Sequence, residues 1–132
     1  MAALVLCQAA MVQAQTPEIT GTDGNDRLVG TPATDYFRGG SGADVFVINH
    51  LSARPDVIAD FDPDEGDTIE LAFASETQRP FQQENFSVDR KGVVKIKFGN
   101  QQKEVVKLNR SDLSLKLDPR KGRYFLKFSK TF

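Results

Sequence analysis

Apolar residues follow three patterns along this chain. Residues 2–14 form a short apolar run that closes on small residues. From Leu28 a large apolar side chain recurs every nine positions, at Leu28, Phe37 and Phe46. From Phe86 onward apolar and polar residues alternate, at Phe86 and Val88, then Val94, Ile96 and Phe98, then Val106 and Leu108, then Leu115 and Leu117, then Tyr124, Leu126 and Phe128. Turn residues separate these runs at 90–92, 99–100, 109–112 and 118–122. Alternation with this punctuation predicts strands of about five residues in an antiparallel meander or small sandwich with one buried face. Two further alternating runs, Val57–Phe61 and Thr68–Leu71, flank Pro63-Asp64-Glu65-Gly66, the chemistry of a hairpin turn or a corner.

The nine-residue spacing belongs to three units laid end to end, Gly21–Val29, Gly30–Arg38 and Gly39–Val47. Each has Gly at its first place, Asp at its sixth (Asp26, Asp35, Asp44) and the large apolar residue at its eighth. Glycines early in a unit permit the positive φ of a tight turn, and the last three residues alternate about one apolar side chain as a short strand does. A turn plus a short strand, repeated, winds the chain. With two units per winding, units one and three share a side and Asp26 approaches Asp44. Two carboxylates about 5 Å apart repel by roughly 3 kcal/mol at an effective dielectric of 20, which calls for a cation. Glycine-rich turns also expose carbonyl oxygens, and carboxylates with carbonyls are the ligands that suit calcium. The candidate ligands in the units are Gly21, Asp23, Asp26, Asp35, Gly40, Gly42 and Asp44. A pair of hairpins with ordinary Asp-Gly turns is the alternative.

The third unit, Gly39-Gly40-Ser41-Gly42-Ala43-Asp44-Val45-Phe46-Val47, matches in full the pattern G-G-x-G-x-D-x-U-x and so resembles the RTX calcium-binding repeat family. Unit one departs at Thr22, and unit two at Thr31 and Ala33 with Pro32 between them. Asp56-Val57-Ile58-Ala59-Asp60-Phe61 and the following Gly66-Asp67-Thr68-Ile69-Glu70-Leu71 resemble the segments that cap the calcium coil in serralysin-type proteins. Gly92 to Leu115 is similar to the tail of those domains. The resemblance implies an all-β fold, a short parallel β-roll continuing into an antiparallel sheet or sandwich. It also implies that Asp56 and Asp60 complete a second calcium site near Asp35, for one or two ions in all. An EF-hand is excluded at Asp60–Leu71, because glycine falls at the seventh place and leucine at the twelfth.

Charge is strongly divided. Residues 1–78 carry 13 Asp/Glu against 3 Lys/Arg, a balance of −10, and residues 79–132 carry 5 against 14, a balance of +9, in agreement with the net −1. The acidic part suits a metal; the basic part suits an internal partner or an anion. Lys95, Lys97, Lys107 and Lys127 are the candidate anion-binding residues, for an acidic polysaccharide or cell surface, against the plainer reading of a solvated sheet face whose lysines discourage edge pairing. Nucleic acid is not expected, since Phe125 is the only aromatic candidate for stacking on that face.

The expected domain plan is a signal segment over 1–14, a linker over 15–20, calcium-binding repeats with a capping hairpin over 21–78, and an antiparallel remainder of the same domain over 79–132. The first run is too short to span a membrane, which takes about 20 residues, and its Val12-Gln13-Ala14 ending looks like an export cleavage site. A helix that covers the domain is the alternative. The single cysteine, Cys7, lies inside that run, so no disulfide braces the mature chain. With one histidine, His50, the H-E-x-x-H zinc site is impossible, and no nucleophile and base pattern is visible. The expectation is a non-enzymatic, calcium-binding, secreted bacterial module.

Overall fold

The computed structural model describes residues 18–50, 54–72, 82–98, 100–120 and 123–130; the apolar run at 2–14 and Cys7 lie outside them. Among the described residues eleven strands follow in order: β1 (Glu18–Thr20), β2 (Arg27–Val29), β3 (Tyr36–Arg38), β4 (Val45–Ile48), β5 (Asp56–Ile58), β6 (Thr68–Leu71), β7 (Phe86–Val88), β8 (Val93–Phe98), β9 (Gln101–Leu108), β10 (Leu113–Arg120) and β11 (Arg123–Lys130). The described chain is almost entirely strand and turn, in two sheets that each mix parallel and antiparallel pairs.

The first six strands alternate between the sheets. Strands β1, β3 and β5 lie in one, and β2, β4 and β6 in the other, paired parallel within each set of three. Register carries the nine-residue period directly: Leu28 pairs with Phe46, and Ile19 with Phe37, eighteen positions on. Ile19 is thus the apolar position of a half-winding ahead of Gly21. After β4 the spacing stretches, so Phe37 pairs with Ile58 and Phe46 with Ile69. The added residues include a corner with a 3-10 turn at Pro63–Glu65, which Asp62 caps through Asp64 N–H and Gly66 closes at φ +93°. Val57–Phe61 and Thr68–Leu71 are therefore not a hairpin: their strands stand in opposite sheets.

The later strands complete both sheets. β9 joins the first sheet parallel to β5, with β8 and β7 added antiparallel, and β11 joins the second antiparallel to β6, with β10 outside it. The inward residues of both sheets meet in one core. Its centre is a chain of rings, Phe37 to Phe46 at 5.7 Å, Phe46 to Phe61 at 6.0 Å and Phe61 to Phe128 at 5.0 Å. Edge-on pairs such as the first and last add about 0.5–1.5 kcal/mol each beyond the area they bury. Phe128 lies in β11, so the stack runs from the repeats into the antiparallel part without a break.

A second tie lies on the outer face of the other sheet. The Glu70 carboxylate, only 5% exposed, receives Arg27 from β2 at 3.1 Å and Arg123 from β11 at 3.7 Å. Arg27 crosses over β4 to reach it. Glu70→Ala is expected to cost about 1–2 kcal/mol in urea denaturation. The larger cost of stranding a buried charge does not apply, because Arg27 and Arg123 stay half exposed and regain water.

Candidate metal centre

The turns between strands fall on two edges of the paired sheets. Turns 21–26 and 39–44 and the corner 59–67 all lead from the first sheet to the second; turn 30–35 and the segment after β4 lead back. The sixth-place aspartates sit at the ends of these turns, just before each strand, and their carboxylates fold back onto backbone N–H groups.

The three units satisfy those carboxylates differently. In unit one, Thr22 donates its N–H to Asp26 Oδ2 at 2.7 Å and its hydroxyl to Oδ1 at 3.0 Å. In unit two, Thr31 does the same for Asp35, at 2.7 Å from its N–H and 2.7 Å from its hydroxyl. Unit three has Gly40 in the threonine place, and Gly40 N–H donates instead to Asp60 Oδ2 at 2.9 Å. Asp44 keeps one partner, accepting Asp26 N–H on Oδ1 at 2.9 Å. Its Oδ2 is fully buried with no hydrogen-bond partner among the described residues.

Between windings the same contact repeats. Asp44 accepts the N–H of Asp26, Asp67 accepts that of Asp44 at 2.8 Å, and on the other edge Asp56 accepts that of Asp35 at 2.9 Å. Asn25 Oδ1 also takes Ala43 N–H at 2.8 Å. Asp26, Asp44 and Asp67 thus form a file of carboxylates along one edge. Burial raises the Asp44 carboxyl to about 6; the Asp26 N–H bond opposes this, and the negative charges of Asp67 and Asp26 add to it. Burial likewise raises Asp67, against its bonds from Asp44 and Asp62 N–H. Asp56 rises to about 7 through burial, with the Asp35 charge adding to it.

Carbonyls of the first unit stand close to the glycines of the third. A Cβ on Gly40 would lie 2.5 Å from Thr22 O, and one on Gly42 would lie 2.6 Å from Gly24 O. Both glycines also have positive φ, +82° and +92°, so no other residue fits either place without strain. Gly21 N–H donates to Arg38 O at 2.8 Å, and Asp23 is exposed at the turn tip. Among the described residues no three His, Cys, Asp or Glu side chains converge as a metal-binding group. A cation here would therefore draw largely on backbone oxygens. A buried carboxylate oxygen with no donor, in a file of like charges on an edge of close-packed glycine turns, fits a hard cation with oxygen ligands.

The structure separates two residues that the resemblance placed together. Asp56 reaches Asp35 at the start of β3, but Asp60 accepts from Gly39 and Gly40 N–H, both at 2.9 Å, past its end. They stand at opposite ends of β5 and do not complete one site. Asp67 has the role that sequence reasoning missed. Its signal was present: Asp-x-apolar recurs at Asp26, Asp35 and Asp44 and again at Asp56-Val57-Ile58 and Asp67-Thr68-Ile69.

The four lysines do not form one face either. Lys127 lies in β11, in the second sheet, and the other three lie in β8 and β9 of the first. Lys95 is paired with Asp89 at 3.4 Å and Lys127 with Asp118 at 3.2 Å.

Comparison with known proteins agrees with the repeats and stops there. The family model of the RTX calcium-binding nonapeptide repeat, in four copies, matches residues 19–47, which adds the half-winding at Ile19 to the three units. No curated protein and no solved structure matches the chain. A short calcium-binding repeat motif is therefore present in part of the chain, and the matched motif belongs to a non-catalytic family.

Proposed function

We propose that this chain is a secreted, non-enzymatic calcium-binding module of RTX type, in which residues 21–78 form a short β-roll with its cap and residues 79–132 complete the same domain. The observation that carries the proposal is Asp44 Oδ2, fully buried and unpartnered beside the Asp26 and Asp67 carboxylates. Asp44, with backbone oxygens such as the carbonyls of Thr22 and Gly24, would hold the ion beside the Asp26 and Asp67 carboxylates, whose oxygens already accept from Thr22, Asp44 and Asp62. Calcium supplies there the positive charge that the buried carboxylate lacks.

One ion per chain is the reading favoured by the difference between the units. Asp35, on the other edge, already has Thr31 on both oxygens and needs no cation. Where calcium is scarce, as in a cell interior, the Asp44 edge is left with uncompensated charge. At the millimolar calcium found outside cells, binding to the folded state alone stabilises it.

Calorimetric titration of the full chain with calcium, checked by native mass spectrometry, tests both points. One ion is expected, with binding lost in Asp44→Asn and kept in Asp35→Asn. No heat and no mass shift at millimolar calcium would remove the calcium reading. Two or more ions would keep it and remove the single-site assignment.

A further inference from the structure

The basic part of the chain holds a concave feature that the repeats do not explain. Gly92, at the end of the β7–β8 turn, has φ +83°, and a Cβ there would lie 2.4 Å from Arg110 O and 2.9 Å from Leu108 O. Its carbonyl accepts Leu108 N–H at 2.8 Å. The missing side chain thus lets the β7–β8 turn press against the β9–β10 turn, and the two frame a cleft of about 340 Å³. Arg90, Lys91, Lys107, Asn109, Arg110 and Ser111 line it, and no carboxylate residue does.

The nearby acids are committed elsewhere. Asp89 takes Lys91 N–H at 2.8 Å, Val93 N–H at 3.0 Å and the Lys95 ammonium at 3.4 Å. Asp112 holds Arg110 through two bonds of 2.8 Å, and Asp62 stands 3.8 Å from the same guanidinium. Arg90, Lys91 and Lys107 have no ion pair among the described residues. Lys107 has only Val57 and Val93 as its partners across the sheet, so neither neighbouring strand neutralises it. Asn109 is fixed by accepting Phe61 N–H on Oδ1 at 2.8 Å, which leaves its amide N–H groups for another acceptor.

We propose that this cleft binds the phosphate or sulfate ester group of a sugar, with Arg90, Lys91 and Lys107 on the oxyanion and Asn109 and Ser111 on the neighbouring sugar hydroxyls. Three unpaired cations around one cleft match the three terminal oxygens of a phosphate or sulfate ester better than the two of a carboxylate, and a guanidinium fork suits those oxygens. The volume stands at the lower end of small-ligand sites and leaves room for a ring beside the ester. No aromatic side chain lines it to stack a base.

The test uses the calcium-saturated full chain at low salt, titrated with glucose 6-phosphate, glucose 6-sulfate and glucose while backbone amide resonances are followed. Saturable shifts at Lys91, Lys107 and Ser111 with either ester, and none with glucose, are expected. Whichever ester binds more tightly identifies the source of the group. Arg90→Gln with Lys91→Gln, and separately Lys107→Gln, should each weaken binding roughly tenfold. Lys97→Gln, on the same sheet outside the cleft, should leave it unchanged. The proposal is overturned by equal binding of glucose, by no saturable response at tens of millimolar ester, or by a loss in Lys97→Gln as large as in Lys107→Gln.

Discussion

Removing calcium at pH 8 is expected to lower the melting temperature by about 10 °C, and Asp44→Asn should abolish that response. A ligand that binds only the folded state contributes about 2.7 kcal/mol at a hundredfold excess over its dissociation constant. In a chain of this size each kcal/mol moves the midpoint by roughly 4 °C. The asparagine variant keeps the shape of the side chain and can still accept Asp26 N–H, so its fold should persist. What it lacks is the charge. A scanning-calorimetry series with and without chelator, on wild type, Asp44→Asn and Asp35→Asn, separates the edges. Wild type and Asp35→Asn should respond to calcium, and Asp44→Asn should melt at one temperature throughout. A wild-type chain indifferent to chelator would show that Asp44 Oδ2 tolerates burial without a cation.

Thr22 and Thr31 supply the reverse experiment, a gain of calcium demand. Each places a hydroxyl and an N–H on the carboxylate four residues on, where the third unit has only Gly40. The substitutions that make units one and two imperfect copies of the pattern are therefore compensated locally.

Much of this arrangement was legible in the sequence because it depends on short-range periodicity. Nine-residue spacing fixed which apolar side chains turn inward and predicted the parallel partners, as the pairing of Leu28 with Phe46 shows. Alternation from Phe86 onward placed the later strands, since each has one buried face and the period of a strand is two. What could not be read was which distant elements share an edge. Asp56 and Asp60 lie four residues apart, which looks local, yet β5 carries them to opposite edges of the paired sheets. Asp67 was masked by its acidic neighbours, although Asp64 and Glu65 are exposed while Asp67 is buried. The lysines fall in different sheets for a related reason: alternation says that a side chain points outward, not from which sheet.

Acidification should stabilise the calcium-free protein before it unfolds it. Asp44 and Asp56 ordinarily titrate at 3.8 and stand at about 6 and about 7 in the folded chain, and Asp67 is also raised. A carboxyl raised on folding contributes stability that is fully present below its unfolded value and is lost as pH climbs through its folded value. The loss should therefore develop between about pH 4 and pH 8, on the order of 3 kcal/mol from Asp44 alone. Urea midpoints in metal-free buffer should be highest near pH 4–5 and fall toward pH 8. Below pH 4 the trend turns, because Asp112, held down by the Arg110 guanidinium, and Asp89, held down chiefly by Val93 N–H, then lose their favourable charged forms. Saturating calcium should restore stability at pH 8 and remove the Asp44 share of the slope. It should leave the Asp56 share, because that carboxylate lies on the edge served by Thr31. Asp44→Asn should show this same residual slope without calcium, whereas a metal-free profile that rises from pH 5 to pH 8 would place the buried carboxylates in a more polar setting than their burial implies.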